Sequence, residues 1–190
     1  LADTTGSMYS AIANVKAGAA SIMSSVAGLG DVQFAAAEYK DIYDTYTWKV
    51  NSSFTSSTAT TQGGINQWYA SGGGDGPEGQ MIALTDLANN ADDEYGNSVD
   101  WRDDSTRILV WFGDYYGHDP RLGYTEAGAT AALIANNISV EGLSVGYNNM
   151  NATGQVTRIA AATGGHAYSG VNNSAVASTI TAAITTALEE

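Results

Sequence analysis

The run Asp3-Thr4-Thr5-Gly6-Ser7 sets one carboxylate and two hydroxyls on alternate residues, directly ahead of a long helical pattern. A strand-to-helix turn with that spacing presents hard oxygen donors, the kind that suit a small divalent cation. Further acids stand at other turns: Asp41 closes an apolar run, Asp75 and Glu78 lie in a glycine-rich stretch, and Asp114 follows Trp111-Phe112-Gly113. Two carboxylates about 4 Å apart repel by roughly 4 kcal/mol at an effective dielectric near 20, so gathering them requires a counter-charge. A bound divalent cation supplies one. With no Cys and no clear His pair, the donor set points to Mg²⁺, Ca²⁺ or Mn²⁺ rather than zinc or copper.

Taken singly, each residue has a plainer reading. Thr5 or Ser7 alone would cap the following helix. Asp41 reads equally well as a solvated strand end, and Glu78 as an acid in a first helical turn, favourable to the helix dipole. Tyr115 and Tyr116 either line a ligand rim or pack against the next loop, and His118 and Asp119 shape that rim.

Considered together, these stretches resemble the metal-ion-dependent adhesion site of von Willebrand factor A and integrin I-like domains. Asp3-x-Thr5-x-Ser7 is similar to the family's Asp-x-Ser-x-Ser signature. Residues 72–79, GGGDGPEG, resemble the second metal loop of the branch that carries Asp-x-Pro-Glu, and residues 111–114, WFGD, the strand and Asp of the third loop. The resemblance implies that Asp3, Thr5, Ser7, Glu78 and Asp114 surround a metal, directly or through water, with Asp75 in reserve. It also implies a flanking calcium site from Asp41, Asp75 and Glu78, although Gly73 stands where the family has Asn. The family's other neighbouring site is expected to be absent, since Ser10-Ala11 offers no carboxylate.

The elements that must position these residues follow from periodicity. Apolar residues from Met8 to Leu29 recur at steps of three and four, predicting a helix stopped by Gly28 and Gly30. Val32 to Tyr39 reads as a central strand and Thr45 to Val50 as a half-buried antiparallel edge strand. Ser52 to Thr61 reads as a loop leading to a short helix near Ile65, Trp68 and Tyr69, with another helix from Glu78 to Leu87. The acidic stretch Ala91 to Thr106 reads as a solvated excursion. Thereafter strands are predicted at Arg107–Phe112, Val140–Val145 and His166–Tyr168, and helices at Thr125–Asn136, Gln155–Ala162 and Ser174–Leu188. This alternation predicts a doubly wound α/β fold: a mostly parallel sheet, one antiparallel edge strand, and helices on both faces. Sites in such sheets lie beyond the C-terminal strand ends, where these acids fall.

The 190 residues fit one domain, 1–190. Only Leu1 and Ala2 precede the first turn, whereas a strand takes about five residues. The chain therefore reads as an excerpt of a longer protein with most of its first strand missing. Twenty acidic against seven basic residues, a net charge of -13, disfavour nucleic acid and anionic membranes as partners. No apolar run is long enough to span a bilayer. Nucleophilic catalysis has little to work with: there is no Cys and no Gly-x-Ser-x-Gly elbow, and there are only two His. The resemblance implies a non-enzymatic adhesion module at the cell surface, in which a partner's carboxylate completes the coordination of the cation. A scaffold whose cation only locks its loops is the alternative, and a metal-dependent hydrolase a third.

Overall fold

The structure is a computed structural model that describes residues 1–189. Six strands form one sheet, with β1 (Ala2–Asp3), β2 (Phe34–Tyr39), β3 (Trp48–Thr55), β4 (Arg107–Gly113), β5 (Ile138–Val145) and β6 (Ala167–Val171) in the order β3-β2-β1-β4-β5-β6. All neighbours are parallel except β2 and β3, so β3 is the antiparallel edge. The chain winds outward from β1 to β2 and then returns to β4 on its other side, which makes the β1–β4 boundary the point where the strand order reverses.

Helices cover both faces. On one, α1 (Tyr9–Ala27) buries Ile12, Val15, Ala19, Ile22, Met23 and Val26, one stripe at helical spacing, beside α2 (Thr58–Asn66) and α6 (Val176–Glu189). On the other, α3 (Gln80–Ala88), α4 (Glu126–Ala135) and α5 (Gln155–Thr163) pack over Trp111, Val140 and Met150. Among the described residues no helix is long and apolar enough to cross a membrane.

Strand β1 is only two residues long, and Ala2 pairs with Glu38 and Phe112 near the C-terminal ends of β2 and β4. Its neighbours begin further back, at Phe34 and Arg107. An apolar cavity of about 620 Å³ opens along them, bordered by Leu1, Ile22, Phe34, Trp101, Leu109 and Ile180.

Five expectations from the sequence are corrected. The edge strand runs Trp48–Thr55, not Thr45–Val50, and Ser52 to Thr55 belong to it. Ser57 caps α2 by accepting from the Thr60 N–H, so that helix begins at Thr58, and it ends at Asn66, before Trp68 and Tyr69. The excursion from Ala91 to Thr106 is tethered. Buried Asp93 accepts from the N–H groups of Val50, Tyr95 and Asn97 at 2.8, 2.8 and 2.9 Å. The Phe54 N–H donates to the Val99 carbonyl at 2.8 Å, so this acidic stretch covers the open edge of β3. Glu78 lies ahead of α3 in an isolated bridge with Gly117, so the first-turn dipole reading does not apply to it. His166 lies just before β6, with Nδ1 3.4 Å from buried Glu141.

Candidate metal centre

The turn after β1 is built around its first carboxylate. Asp3 is fully buried, and its Oδ1 accepts from the Thr5 N–H at 2.9 Å and the Thr5 hydroxyl at 2.6 Å. Thr5 occupies the N-cap position of the short helical turn Gly6–Met8, but its side chain makes no capping bond. The plain helix-cap reading of Thr5 is thereby set aside, since its hydroxyl fixes the Asp3 carboxylate instead. The other oxygen, Asp3 Oδ2, has no hydrogen-bond partner.

Two further loops converge on it. Glu78 is buried, and its backbone is stitched to the loop after β4: the Glu78 N–H donates to the Tyr116 carbonyl at 3.1 Å, and the His118 N–H donates to the Glu78 carbonyl at 3.0 Å. Asp114 follows the end of β4, with Ser7 close enough to lower its pKa. Glu78 Oε2 and Asp114 Oδ1 are buried without partners, as Asp3 Oδ2 is. Native interiors rarely leave such oxygens unpaired.

Glycine permits the close approach at two points. A Cβ on Gly113 would lie 2.9 Å from Asp3 Oδ2, and 2.5 Å from the Tyr39 hydroxyl. At Gly73, where the resembling family has Asn, φ is +71° and a Cβ would lie 2.8 Å from the Thr5 Cβ. That departure is therefore enforced by the loop packing directly on Thr5.

The electrostatics follow from this geometry. Burial, and then the charges of Asp3, Asp41, Asp44 and Asp114, push the Glu78 carboxyl up to about 9. Burial and the neighbouring Asp114 push Asp3 up to about 7, against the lowering effect of the Thr5 hydrogen bonds. Asp114 is raised by burial, with Ser7 offsetting part of the rise. Proteins shift carboxylates this way where like charges share a dry site.

The flanking candidates also sit together. Asp41 is buried, raised by desolvation, and lies beside Asp75, with His118 Nε2 3.1 Å from its Oδ1. Asp75 is exposed and is placed at Asp41, while Glu78 stands within electrostatic reach of both Asp41 and Asp3. Tyr115 and Tyr116 stack with ring centroids 4.8 Å apart, Tyr115 against Gly76 of the second loop.

Sequence reasoning missed the braces. Lys40 is buried, and its ammonium donates to the carbonyls of Thr4, Tyr69 at 2.9 Å and Ser71 at 2.8 Å, tying the first and second loops together. Asp44 accepts from the N–H groups of Asp41 and Gly73 at 3.1 and 3.0 Å. Buried Gln155, at the start of α5, exchanges two bonds with the Gly117 backbone at 2.8 and 2.9 Å. A lysine at the end of an apolar strand was the one available signal, because Lys is almost never fully buried without partners.

The residues fit a divalent cation. Among the described residues no group of three or more His, Cys, Asp or Glu side chains stands ready to hold an ion. The fit is to a mixed set, with the hydroxyls of Thr5 and Ser7 beside the carboxylates. It rests on the three unpartnered buried oxygens, which a cation would satisfy and whose mutual repulsion it would reverse.

This sheet order, with acids from three loops at the reversal point, defines a von Willebrand factor A-like α/β domain. No protein-family model matches the sequence, and no curated protein does. Solved structures match it. A von Willebrand factor type A protein from Catenulispora acidiphila superposes with a TM-score of 0.60 at 16% identity, over 95% of this chain and 39% of that one. Proximal thread matrix protein 1 from the mussel byssus, with a zinc-occupied metal-ion-dependent adhesion motif, superposes with a TM-score of 0.62 at 12% identity, over 96% and 45%. At such identities the likeness establishes the fold, and the chain spans less than half the length of either protein.

Proposed function

We propose that this domain is a metal-dependent protein-binding module, in which Asp3, Thr5, Ser7, Glu78 and Asp114 hold a divalent cation and a partner's carboxylate completes its coordination. The observation that carries the reading is that Asp3 Oδ2, Glu78 Oε2 and Asp114 Oδ1, from three separate loops, are buried without partners on carboxylates that stand within electrostatic reach of one another. The cation supplies a Lewis-acidic centre of positive charge. The chain's own part is to hold the oxygens: Thr5 orients Asp3, and Lys40, Asp44 and Gln155 fix the loops. Mg²⁺, Ca²⁺ and Mn²⁺ suit the oxygen donors, and the zinc held by the mussel protein adds Zn²⁺ to the candidates. An extracellular, cell-surface setting belongs to the same reading.

Water-proton relaxation with Mn²⁺ tests it. A cation left with an open position binds exchanging water and enhances relaxation strongly, and the Asp114→Ala variant loses the effect. Tight Mn²⁺ binding without enhancement would mean a cation closed off by protein oxygens, which favours the scaffold alternative.

A further inference from the structure

We infer that Asn172 is an acceptor for N-linked glycosylation, taking an oligosaccharide onto its side-chain amide. The site involves none of the residues of the candidate metal centre.

The sequence carries the acceptor pattern Asn-x-Ser/Thr at four places: Asn51-Ser52-Ser53, Asn137-Ile138-Ser139, Asn151-Ala152-Thr153 and Asn172-Asn173-Ser174. In a chain rich in Ser, Thr and Asn the pattern arises easily, so the fold has to choose among them. An acceptor needs an amide that is not committed to native contacts, a reachable hydroxyl two residues on, and a surface position for a bulky, hydrated group.

Three of the four fail. Asn51 is half-buried in β3, where its Nδ2 donates to Glu38 Oε1 at 2.8 Å and its Oδ1 accepts from the indole of buried Trp68 at 3.0 Å. Asn151 is committed in the same way: its Nδ2 donates to Thr157 Oγ1 at 2.8 Å and its Oδ1 accepts from the Thr157 N–H at 3.1 Å, pinning the first turn of α5. Asn137 is exposed, but Ile138 beside it is buried and Ser139 lies within β5, between β4 and β6. The second and third residues of that triplet are thus locked into the sheet.

Asn172 passes on every count. Asn172, Asn173 and Ser174 are all exposed, in the connection between β6 and α6. Among the described residues neither the Asn172 amide nor the Ser174 hydroxyl makes a hydrogen bond. The turn is held by other atoms. The Ala175 N–H donates to the Asn172 carbonyl at 2.8 Å, while Asn14 of α1 donates to the Ser174 carbonyl at 3.1 Å and accepts from the Ala177 N–H at 3.0 Å. Loading the Asn172 amide therefore costs no native hydrogen bond. The position also gives the sugar a use. Edge strand β6 has β5 as its only strand neighbour, and Ala167–Val171 carries no charged residue to discourage pairing with another chain. A glycan on the residue that follows it crowds any approaching strand.

The transfer joins Asn172 Nδ2 to the anomeric carbon of an oligosaccharide carried on a polyisoprenoid pyrophosphate. The new C–N bond replaces the C–O bond to pyrophosphate, which leaves with the electron pair, and the nitrogen gives up one proton.

The test is secretion of the domain from a eukaryotic cell, followed by amidase release of the glycans in heavy-oxygen water, which leaves a labelled Asp wherever a glycan stood. Peptide mass spectrometry is expected to find the label at Asn172 in most molecules and at Asn51, Asn137 and Asn151 in almost none. Ser174→Ala and Asn172→Gln should each remove the glycan while leaving the melting temperature within about 2 °C, as for other surface changes. An unlabelled Asn172 in the secreted, folded domain would overturn the inference. So would label that persists in Ser174→Ala, or label spread evenly over the four positions, since the fold would then not be selecting the site.

Discussion

At their C-terminal ends, β1 and β4 bring Asp3 and Asp114 beside Glu78, with buried oxygens that lack partners; further down the same sheet, Phe34, Leu109 and Val110 border an apolar cavity of about 620 Å³. Both regions depart from a satisfied, close-packed interior, and they do so in opposite senses. The upper region gathers like charges and lacks counter-charge, whereas the lower one is walled mostly by apolar side chains. The upper region is also heavily braced, by Lys40, Asp44 and Gln155, so its strain is held in place rather than relaxed. Local violations of this kind, supported from several sides, mark functional sites.

The largest expected effect breaks that bracing. Lys40→Met leaves three carbonyls without their donor, and leaving buried hydrogen-bonding groups unsatisfied costs about 3 kcal/mol. At roughly 2–4 °C per kcal/mol for a domain of this size, thermal denaturation should fall by roughly 6–12 °C. A loss within 2 °C would mean that the loops support one another without the ammonium.

Slightly smaller is the effect of the counter-charge itself. A cation at about 100 times its dissociation constant stabilises the native state by about 2.7 kcal/mol, so chelation should lower melting by roughly 5–11 °C. Asp114→Ala should abolish the difference between cation and chelator. An unchanged melting curve on chelation of the wild type would count against an occupied site.

Matched alanines sharpen the contrast between the two regions. Ala2 is fully buried at the packed upper end, and Ala2→Val should destabilise by about 1–3 kcal/mol through overpacking. Ala35 borders the cavity, and Ala35→Val should stabilise by about 1 kcal/mol through added buried methyl groups. Denaturant midpoints would show the two changes with opposite signs, and equal signs would dissolve the distinction.

The least abrupt effect is on pH dependence. Glu78 and Asp3 are raised in the metal-free native state to about 9 and about 7, above their ordinary values. The native state then holds more protons than the unfolded chain, and stability declines as pH rises from the ordinary carboxylate range toward about 9. Glu78→Gln, which mimics the protonated form, should flatten most of that decline in melting experiments with chelator present.

Much of the fold was legible because its elements announce themselves locally. The α1 stripe, the apolar β4 and the alternation of strand and helix fix the sheet and its covering layers. Asp3, Thr5, Ser7, Glu78 and Asp114 could be singled out because they stand in stretches that resemble the family's three metal loops, and the fold sets the loops of Asp3, Glu78 and Asp114 side by side. What was hidden depends on partners distant in sequence. Ser52 to Thr55 read as loop, since polar residues on an edge strand carry no apolar alternation, and their pairing is completed by Ser98 and Val99. Asp93 read as a solvated acid because nothing in its neighbourhood reveals that its carboxylate holds the Val50 amide 43 positions away. Lys40 closes a strand in sequence and closes a loop cluster in space.

The central claim, that acids from three loops share one cation, is tested most directly by the protons a cation expels. Burial and neighbouring acids raise Glu78 to about 9 and Asp3 to about 7, so at pH 7 the metal-free pair retains protons that free carboxylates would have lost. Metal ligands bind deprotonated. Titrating Mg²⁺ into a weakly buffered solution at pH 7 should release protons as the ion binds, and fewer of them in Glu78→Gln. Cation binding with no proton release, or with the same release in that variant, would place the ion elsewhere and contradict the account.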